Sequence, residues 1–560
     1  MHGSMKRRLR LGPLTRADEL TWDLEHTYED RPWRNWIFRR LPDNFQVPAA
    51  ERYRATWETK GYREANIELR ELSERLKCIT LPIAARDEDI ICFAKRRALE
   101  CVRTVSSRQD STTQLQAVLS IAELQGVTAP SVRGITPRGI IARLCSDLWW
   151  RRAVRKYIVR SIEIFAIKMG FVHGRAGLYV SDEALTRRRE QKLRNRRTLA
   201  AVNAENELGD SFTLEELADK SVSNPTNRRA ELMVRMRGFE ELATENGHIG
   251  VFLTFTVPSR FHARYEDGSP NSNYGDLTPR DAQAWLTNSW KLIRSALLRN
   301  EIRPYGFRIT EPHHDGTPHW HLLLFLPSEQ QSQLDRICRH YLFADSGNEP
   351  GALEHRYELV EIDPKKGSAT GYIAKYIYKN VDGHGVGEDL EDPEYRPISE
   401  TVDRVEAWAT TWGIRQFQQI GGPPVTVWRE LRRIKIFKPG LIGDAARCSD
   451  ASDWAGYVRL CGGATVRKDK NAIRLDKAWS DKPNRYGEPK GWIIVGVVAG
   501  NERLSTRVHT WTIRYGIQII PATQQHPSSN STVIRISDYL SRISVDKPRN
   551  EIDFTQRSMS

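Results

Sequence analysis

The chain has 560 residues, of which 39% are hydrophobic and 28% charged, with a formal net charge of +14. That balance describes an ordinary globular protein with a sizeable core and roughly two to four domains. The stretch Trp492–Gly500, the most apolar in the chain, is far too short to span a bilayer, which excludes a membrane protein of the helical class. The basic excess favours a polyanionic partner such as nucleic acid. Charge alone leaves a merely basic soluble protein equally open. Seven cysteines (Cys78, Cys92, Cys101, Cys145, Cys338, Cys448, Cys461) are scattered with no Cys-x-x-Cys pair. This argues against a disulfide framework or a zinc ribbon and suits buried free thiols in a reducing cytosol. The basic start Met1–Gly12 has no apolar run behind it, so no signal peptide is expected.

Residues 1–240 read as a mainly helical, basic region. Ala65–Cys78 and Ile140–Phe165 have helical spacing, and Thr213-Leu-Glu-Glu216 fits a capping box. Two stretches are strongly cationic: Trp149–Tyr157, which mixes aromatics with Arg151, Arg152, Arg155 and Lys156, and Arg187–Arg197. Charge interleaved with stacking surface suits a nucleic-acid strand. The competing reading is a solvated helix face, and for Arg187–Arg197 the two are nearly balanced.

Residues 241–440 read as an antiparallel-rich α+β domain. Strands are expected at Val251–Val257, Tyr305–Pro312, His319–Pro327 and Tyr357–Ile362. Helices are expected at Pro279–Asn300, Ser328–Leu342 and Ala369–Asn380. Residues 441–560 read as a small mixed region. It has β-like segments near 492–499 and 507–519, a loop over Pro521–Ser531 and a mobile tail.

Two constellations carry chemistry. In the first, Asp315-Gly316 is a turn signal that makes a hairpin of its flanks. Alternation along a strand places His319 and His321 on one face, about 6.5–7 Å apart at Cα, with Trp320 opposite. Glu311, at the end of the other strand, can add a carboxylate. Two neutral nitrogens and one oxygen leave room for water and phosphate and suit Mg²⁺ or Mn²⁺. A pair of surface histidines is the plainer alternative. His313 and His314 sit in the turn and are expected to face solvent or DNA rather than the ion.

The second constellation is Thr370–Asn380. Tyr372 and Tyr376 are one turn apart and so share a helix face. Tyr378 is rotated about 120° from Tyr372, at roughly 100° per residue. A phenol with an ordinary pKa near 10 is a poor nucleophile at neutral pH. A divalent ion on the scissile phosphate and a cation such as Lys375 or Lys379 improve it. Attack by tyrosine conserves the phosphodiester energy in a phosphotyrosine. Taken alone, this segment reads better as an amphipathic helix with aromatic core contacts.

Together, and in this order, the segments resemble the bacteriophage replication gene A proteins, of the two-tyrosine branch of the HUH endonuclease superfamily. Phe252–Ser259 is similar to that family's first motif, Glu311–Leu326 to its His-hydrophobic-His motif, and Tyr372–Tyr376 to its tyrosine motif. Ser221–Met233 and Trp412–Val425 extend the similarity, which runs over residues 140–440. Val257 stands where the family pattern leads one to expect a cysteine before Pro258. The resemblance implies an antiparallel palm sheet with the metal hairpin at its centre. It implies His319 and His321 as metal ligands with Glu311 as the third, Tyr372 and Tyr376 as nucleophiles, and Lys375 as the lysine between them. It also implies rolling-circle replication of phage or prophage DNA in a bacterial cytoplasm. A tyrosine–metal site must grip an exposed phosphodiester, so single-stranded or supercoiled origin DNA is the expected substrate. No G-x-x-x-x-G-K-[ST] motif occurs, so unwinding is expected from a host helicase, with a host polymerase extending the primer. A conjugative relaxase or HUH transposase, a regulator that has lost catalysis, and a metal-dependent hydrolase without a covalent step remain as alternatives.

Overall fold

In the computed structural model the described residues are 14–27, 30–75, 81–131, 134–383, 397–515 and 551–552. Met1–Gly12, Cys78 and the loop expected at Pro521–Ser531 lie outside them. The chain divides into two compact units. One comprises 1–190, 236–422 and 486–488; the other comprises 191–235, 423–485 and 489–560. The class is α+β. Among the described residues, no helix is long and apolar enough to cross a membrane.

The first unit carries an antiparallel five-stranded sheet. Its strands in chain order are β1 (Ile249–Phe255), β2 (Tyr305–Pro312), β3 (Pro318–Leu326), β4 (Tyr357–Glu361) and β5 (Phe417–Ile420). The spatial order is β4-β1-β3-β2-β5. The hairpin β2–β3 is therefore flanked on both sides, and β3 is central. Alternate side chains of β1 and β3 (Val251, Leu253, Phe255; Trp320, Leu322, Leu324, Leu326) form a core with two helices. These are α2 (Pro279–Arg299) and α3 (Gln331–Leu342). Each leucine buried there contributes about 1.5–3 kcal/mol. The opposite face presents Phe252, Thr254, His319 and His321 and is covered by α4 (Ala369–Val381). Phe239, on the helix Pro225–Glu245, packs on Tyr305 and Phe307 of that face.

The N-terminal part of this unit is a helical layer with its own core. Within it, the run Ile140–Phe165 is two helices, Pro137–Leu144 and α1 (Asp147–Met169). Thr136 caps the first and Ser146 sits at the break. Helical spacing continues across such a break, so periodicity alone joined the two. Trp150 is wholly buried and Arg155 pairs with Asp87 at 2.7 and 2.8 Å, so these two residues of the Trp149–Tyr157 stretch serve the fold. Arg187, Arg188, Arg189 and Arg196 are all ion-paired, which favours the helix-face reading of Arg187–Arg197.

The second unit holds a four-stranded and a three-stranded antiparallel sheet. The strands Val202–Asn206 and Ser211–Thr213 were not expected in a helical region; Val202–Asn206 pairs with Trp511–Tyr515. The capping box on Thr213 and Glu216 forms as expected. An aromatic cluster of Trp428, Trp454 and Tyr457, with ring centroids 5.1–5.2 Å apart, anchors the helices of this unit.

Candidate metal centre and tyrosine helix

The β2–β3 register pairs Glu311 directly with His319 and Ile309 with His321. Residues 313–317 form the connection. Gly316 takes φ +81°, and a Cβ there would come within 2.8 Å of the Tyr179 carbonyl oxygen. Glycine is therefore required at the turn. The loop is tied down from outside: Trp408 Nε1 donates to the Gly316 carbonyl at 2.7 Å, and the buried Asp315 carboxylate accepts from Ala263 N and Thr317 N. A rigid turn fixes the register that brings the three candidate ligands together.

Those ligands converge as the spacing predicts. The Nε2 atoms of His319 and His321 lie 2.9 Å apart. Glu311 Oε2 lies 3.9 Å from one and 3.7 Å from the other. One ligand atom from each residue falls within 4.8 Å of the rest. Burial holds His319 well below the usual imidazole range, with His313, His321 and Lys379 adding to the effect. The ring is therefore neutral at physiological pH, the form that binds metal. Thr254 Oγ1 sits 3.3 Å from His321 Nδ1 and orients that ring from the neighbouring strand. Two imidazoles and a carboxylate are a donor set that fits a divalent cation.

His313 departs from expectation. Its ring packs 4.1 Å from that of His319, and its Nε2 is buried without a hydrogen-bond partner among the described residues. Burial pushes its pKa down to about 3. The tethered loop folds the residue inward, where a free hairpin turn would leave it in solvent. His314 binds back through Nε2 to the Arg264 carbonyl at 3.2 Å. His262 in turn lies 5.1 Å from His313, ring to ring, with its Nδ1 3.2 Å from Asp315.

The tyrosine helix α4 starts at Ser368, whose hydroxyl accepts from Gly371 N at 2.9 Å. Glu240 accepts from Ala369 N and Thr370 N at 2.6 and 3.1 Å, so a carboxylate also sits at the positive end of the helix. Tyr372 and Tyr376 both pack on the Phe252 ring, at 4.7 and 5.5 Å, and so occupy the same side. Tyr376 also lies 4.5 Å from the His321 ring. Tyr372 is 42% exposed. Lys375 places its ammonium 4.9 Å from the Tyr376 ring.

Sequence reasoning missed Asn380. It is 2% exposed and its amide nitrogen donates both to Glu311 Oε1 and to the Tyr376 carbonyl, the latter at 2.6 Å. Gln416 donates to its Oδ1 at 3.4 Å. One carboxamide thus joins the tyrosine helix to the carboxylate, leaving Oε2 directed at the histidines. Its position one turn after Tyr376 was the only available signal.

A family model described as bacteriophage replication gene A protein (GPA) matches residues 102–384, which include the hairpin and the tyrosine helix. The chain belongs to the bacteriophage replication gene A protein family. It is 41% identical to the replication gene A protein of Escherichia phage 186 over 385 residues, 67% of this chain and 55% of that protein. It is 33% identical to the probable replication protein P12 of Pseudoalteromonas phage PM2, over 83% of this chain and 78% of that protein. A probable replication endonuclease from a prophage-like region of Salmonella typhimurium is 32% identical, over 63% of this chain and 46% of that protein. The chain thus spans about half the length of several family members it matches. No solved structure matches it.

Proposed function

We propose that this chain is a phage or prophage rolling-circle replication initiator. In this reading it is a metal-dependent endonuclease that nicks one DNA strand at an origin and becomes joined to the new 5′ end. The observation that carries the reading is the 4.5 Å approach of the Tyr376 ring to His321, within the Glu311–His319–His321 cluster. The family relationship supports it. Mg²⁺ or Mn²⁺ held by those three residues would draw charge from the scissile phosphoryl oxygens. Tyr372 or Tyr376 attacks phosphorus through its phenolic oxygen, the new O–P bond forms, and the P–O3′ bond breaks. The phenol gives up its proton, and the departing 3′ oxygen takes one up to become the primer hydroxyl. Lys375 favours the phenolate. The second tyrosine repeats the exchange at termination and rejoins the strand. Residues 241–440 form the nicking domain, with DNA-binding surface in the basic region 1–240 and an accessory role for 441–560.

The substrate is single-stranded or supercoiled origin DNA in the bacterial cytoplasm, opened by a host helicase and copied by a host polymerase. Paired tyrosines and phage relatives favour replication over conjugation or transposition. The test is incubation of the chain with end-labelled origin DNA and Mg²⁺ or Mn²⁺, followed by a denaturing gel. A covalent protein–DNA band is expected from single-stranded and supercoiled substrates, and little from relaxed linear duplex. Cleavage with no covalent band would assign simple hydrolysis instead.

A further inference from the structure

Trp320 lies between the two histidines in sequence but points to the other side of the sheet. There its Nε1 donates to Gln283 Oε1 on α2 at 3.1 Å. Gln283 lines a cavity of about 340 Å³, and so do four cations. Lys156 and Arg160 stand one turn apart on α1, and Arg280 and Lys291 stand on α2. None of the residues lining the cavity is acidic. The contrast with Arg155 is direct, since that neighbour on the same helix has Asp87.

The site is built rather than merely charged. Arg160 Nε donates to the Thr411 carbonyl at 2.8 Å and Nη2 to the Trp412 carbonyl at 3.1 Å. These bonds fix the guanidinium while leaving further N–H groups to donate. Trp412 also lines the cavity, is 3% exposed, and has a buried Nε1 with no hydrogen-bond partner among the described residues. Gly413 takes φ +69°, and a Cβ there would come within 3.3 Å of Arg160 Nη2. Burial lowers the pKa of Lys156, and Arg160 and Arg280 lower it further. Gathering like charges around a cavity is unfavourable unless an anion enters.

We propose that this cavity is a second phosphate-binding site, on the α2 side of the sheet, which takes backbone phosphates of the DNA strand flanking the cut. The choice of DNA rests on the function proposed above; the phosphate chemistry does not. A fixed Arg160 guanidinium beside three further cationic donors suits phosphate oxygens. Lys156 is then the residue of the cationic Trp149–Tyr157 stretch that serves binding.

The test measures affinity of the full chain for a fluorescent 30-nucleotide single strand, by anisotropy across a salt series. Arg280→Gln with Lys291→Gln removes two exposed cations. Binding should weaken at least tenfold at low salt, and the slope of log affinity against log salt should fall by about 1.4, at about 0.7 per lost contact. Ala284→Glu, at an exposed position on α2, places a carboxylate at the cavity without removing packing and should weaken binding similarly. The pair Arg63→Gln and Arg336→Gln, exposed elsewhere, controls for net charge. Cavity variants that bind no more weakly than this control overturn the proposal. Calorimetry with ATP and with pyrophosphate separates the two sources of phosphate. Variants that lose affinity for these but keep it for DNA would make the cavity a free-nucleotide site and overturn the strand assignment. A wild-type chain that binds DNA but forms no covalent adduct would defeat the nicking function and leave the cavity standing.

Discussion

Replacing Asn380 with alanine should weaken the proposed metal centre without touching any of its three candidate ligands. Glu311 uses its two oxygens differently: Oε1 accepts from the Asn380 amide, and Oε2 faces the histidines at 3.7 and 3.9 Å. Without that donor the buried carboxylate loses a hydrogen bond, which costs about 1–3 kcal/mol. It also gains freedom to rotate away from the histidines. Loss of an outer partner of a metal ligand typically costs ten- to a hundredfold in metal affinity, and about 1.4 kcal/mol is tenfold. Calorimetric titration of the full chain with Mn²⁺ should therefore give a Kd about ten- to a hundredfold above wild type. The Mn²⁺ concentration that gives half-maximal adduct should rise by the same factor. The fold should survive, because the cavity left is small and Ile373 and Ile377 still anchor α4. A well-folded Asn380→Ala chain that binds Mn²⁺ within twofold of wild type would refute the role given to this carboxamide.

His319→Ala combined with His321→Ala should abolish metal-dependent cleavage and leave the circular dichroism unchanged; persistent nicking would remove the metal centre from the mechanism. Tyr372→Phe with Tyr376→Phe should form no adduct, whereas either single variant should retain some and Tyr378→Phe should match wild type. Peptide mapping of the adduct checks this, and a nucleotide on Tyr378 would contradict it. Glu163 is fully buried and takes hydrogen bonds from Ser181 N and Oγ at 3.0 and 2.6 Å, yet burial raises its pKa to about 7. In the folded chain it keeps its proton up to that pH, while the unfolded chain releases it near 4.5. Its contribution is thus complete below 4.5 and is lost as pH rises to about 7, by up to about 3 kcal/mol at 1.36 per unit. Glu163→Gln should flatten urea-measured stability across that window; an unchanged slope would refute the assignment.

The hairpin and the tyrosine helix were legible because their signals are local. Asp315-Gly316 specifies a turn, His-x-His a shared strand face, and Tyr372 with Tyr376 a shared helix face. What was not legible depends on distant partners. Phe417-Gln-Gln-Ile420 has little strand character of its own and becomes β5 by pairing with β2. Val202–Asn206 needs Trp511–Tyr515, some three hundred residues on, to become a strand. His313 lies inward because the loop is tethered by Trp408 and Asp315, not because of its neighbours in the chain. Asn380 carries no motif, and its use follows only from where Glu311 arrives.

Phe252 touches Tyr372, Tyr376 and His321 with a single ring. In the proposed mechanism the first cut and the later rejoining would therefore share one wall. Under that proposal a change in the wall would alter both reactions together, so selection could not adjust the start of a replication round at this position without also adjusting its end. Variation that separates the two must come from the exposed flanks of the helix, where Tyr372 meets solvent and Tyr376 does so less.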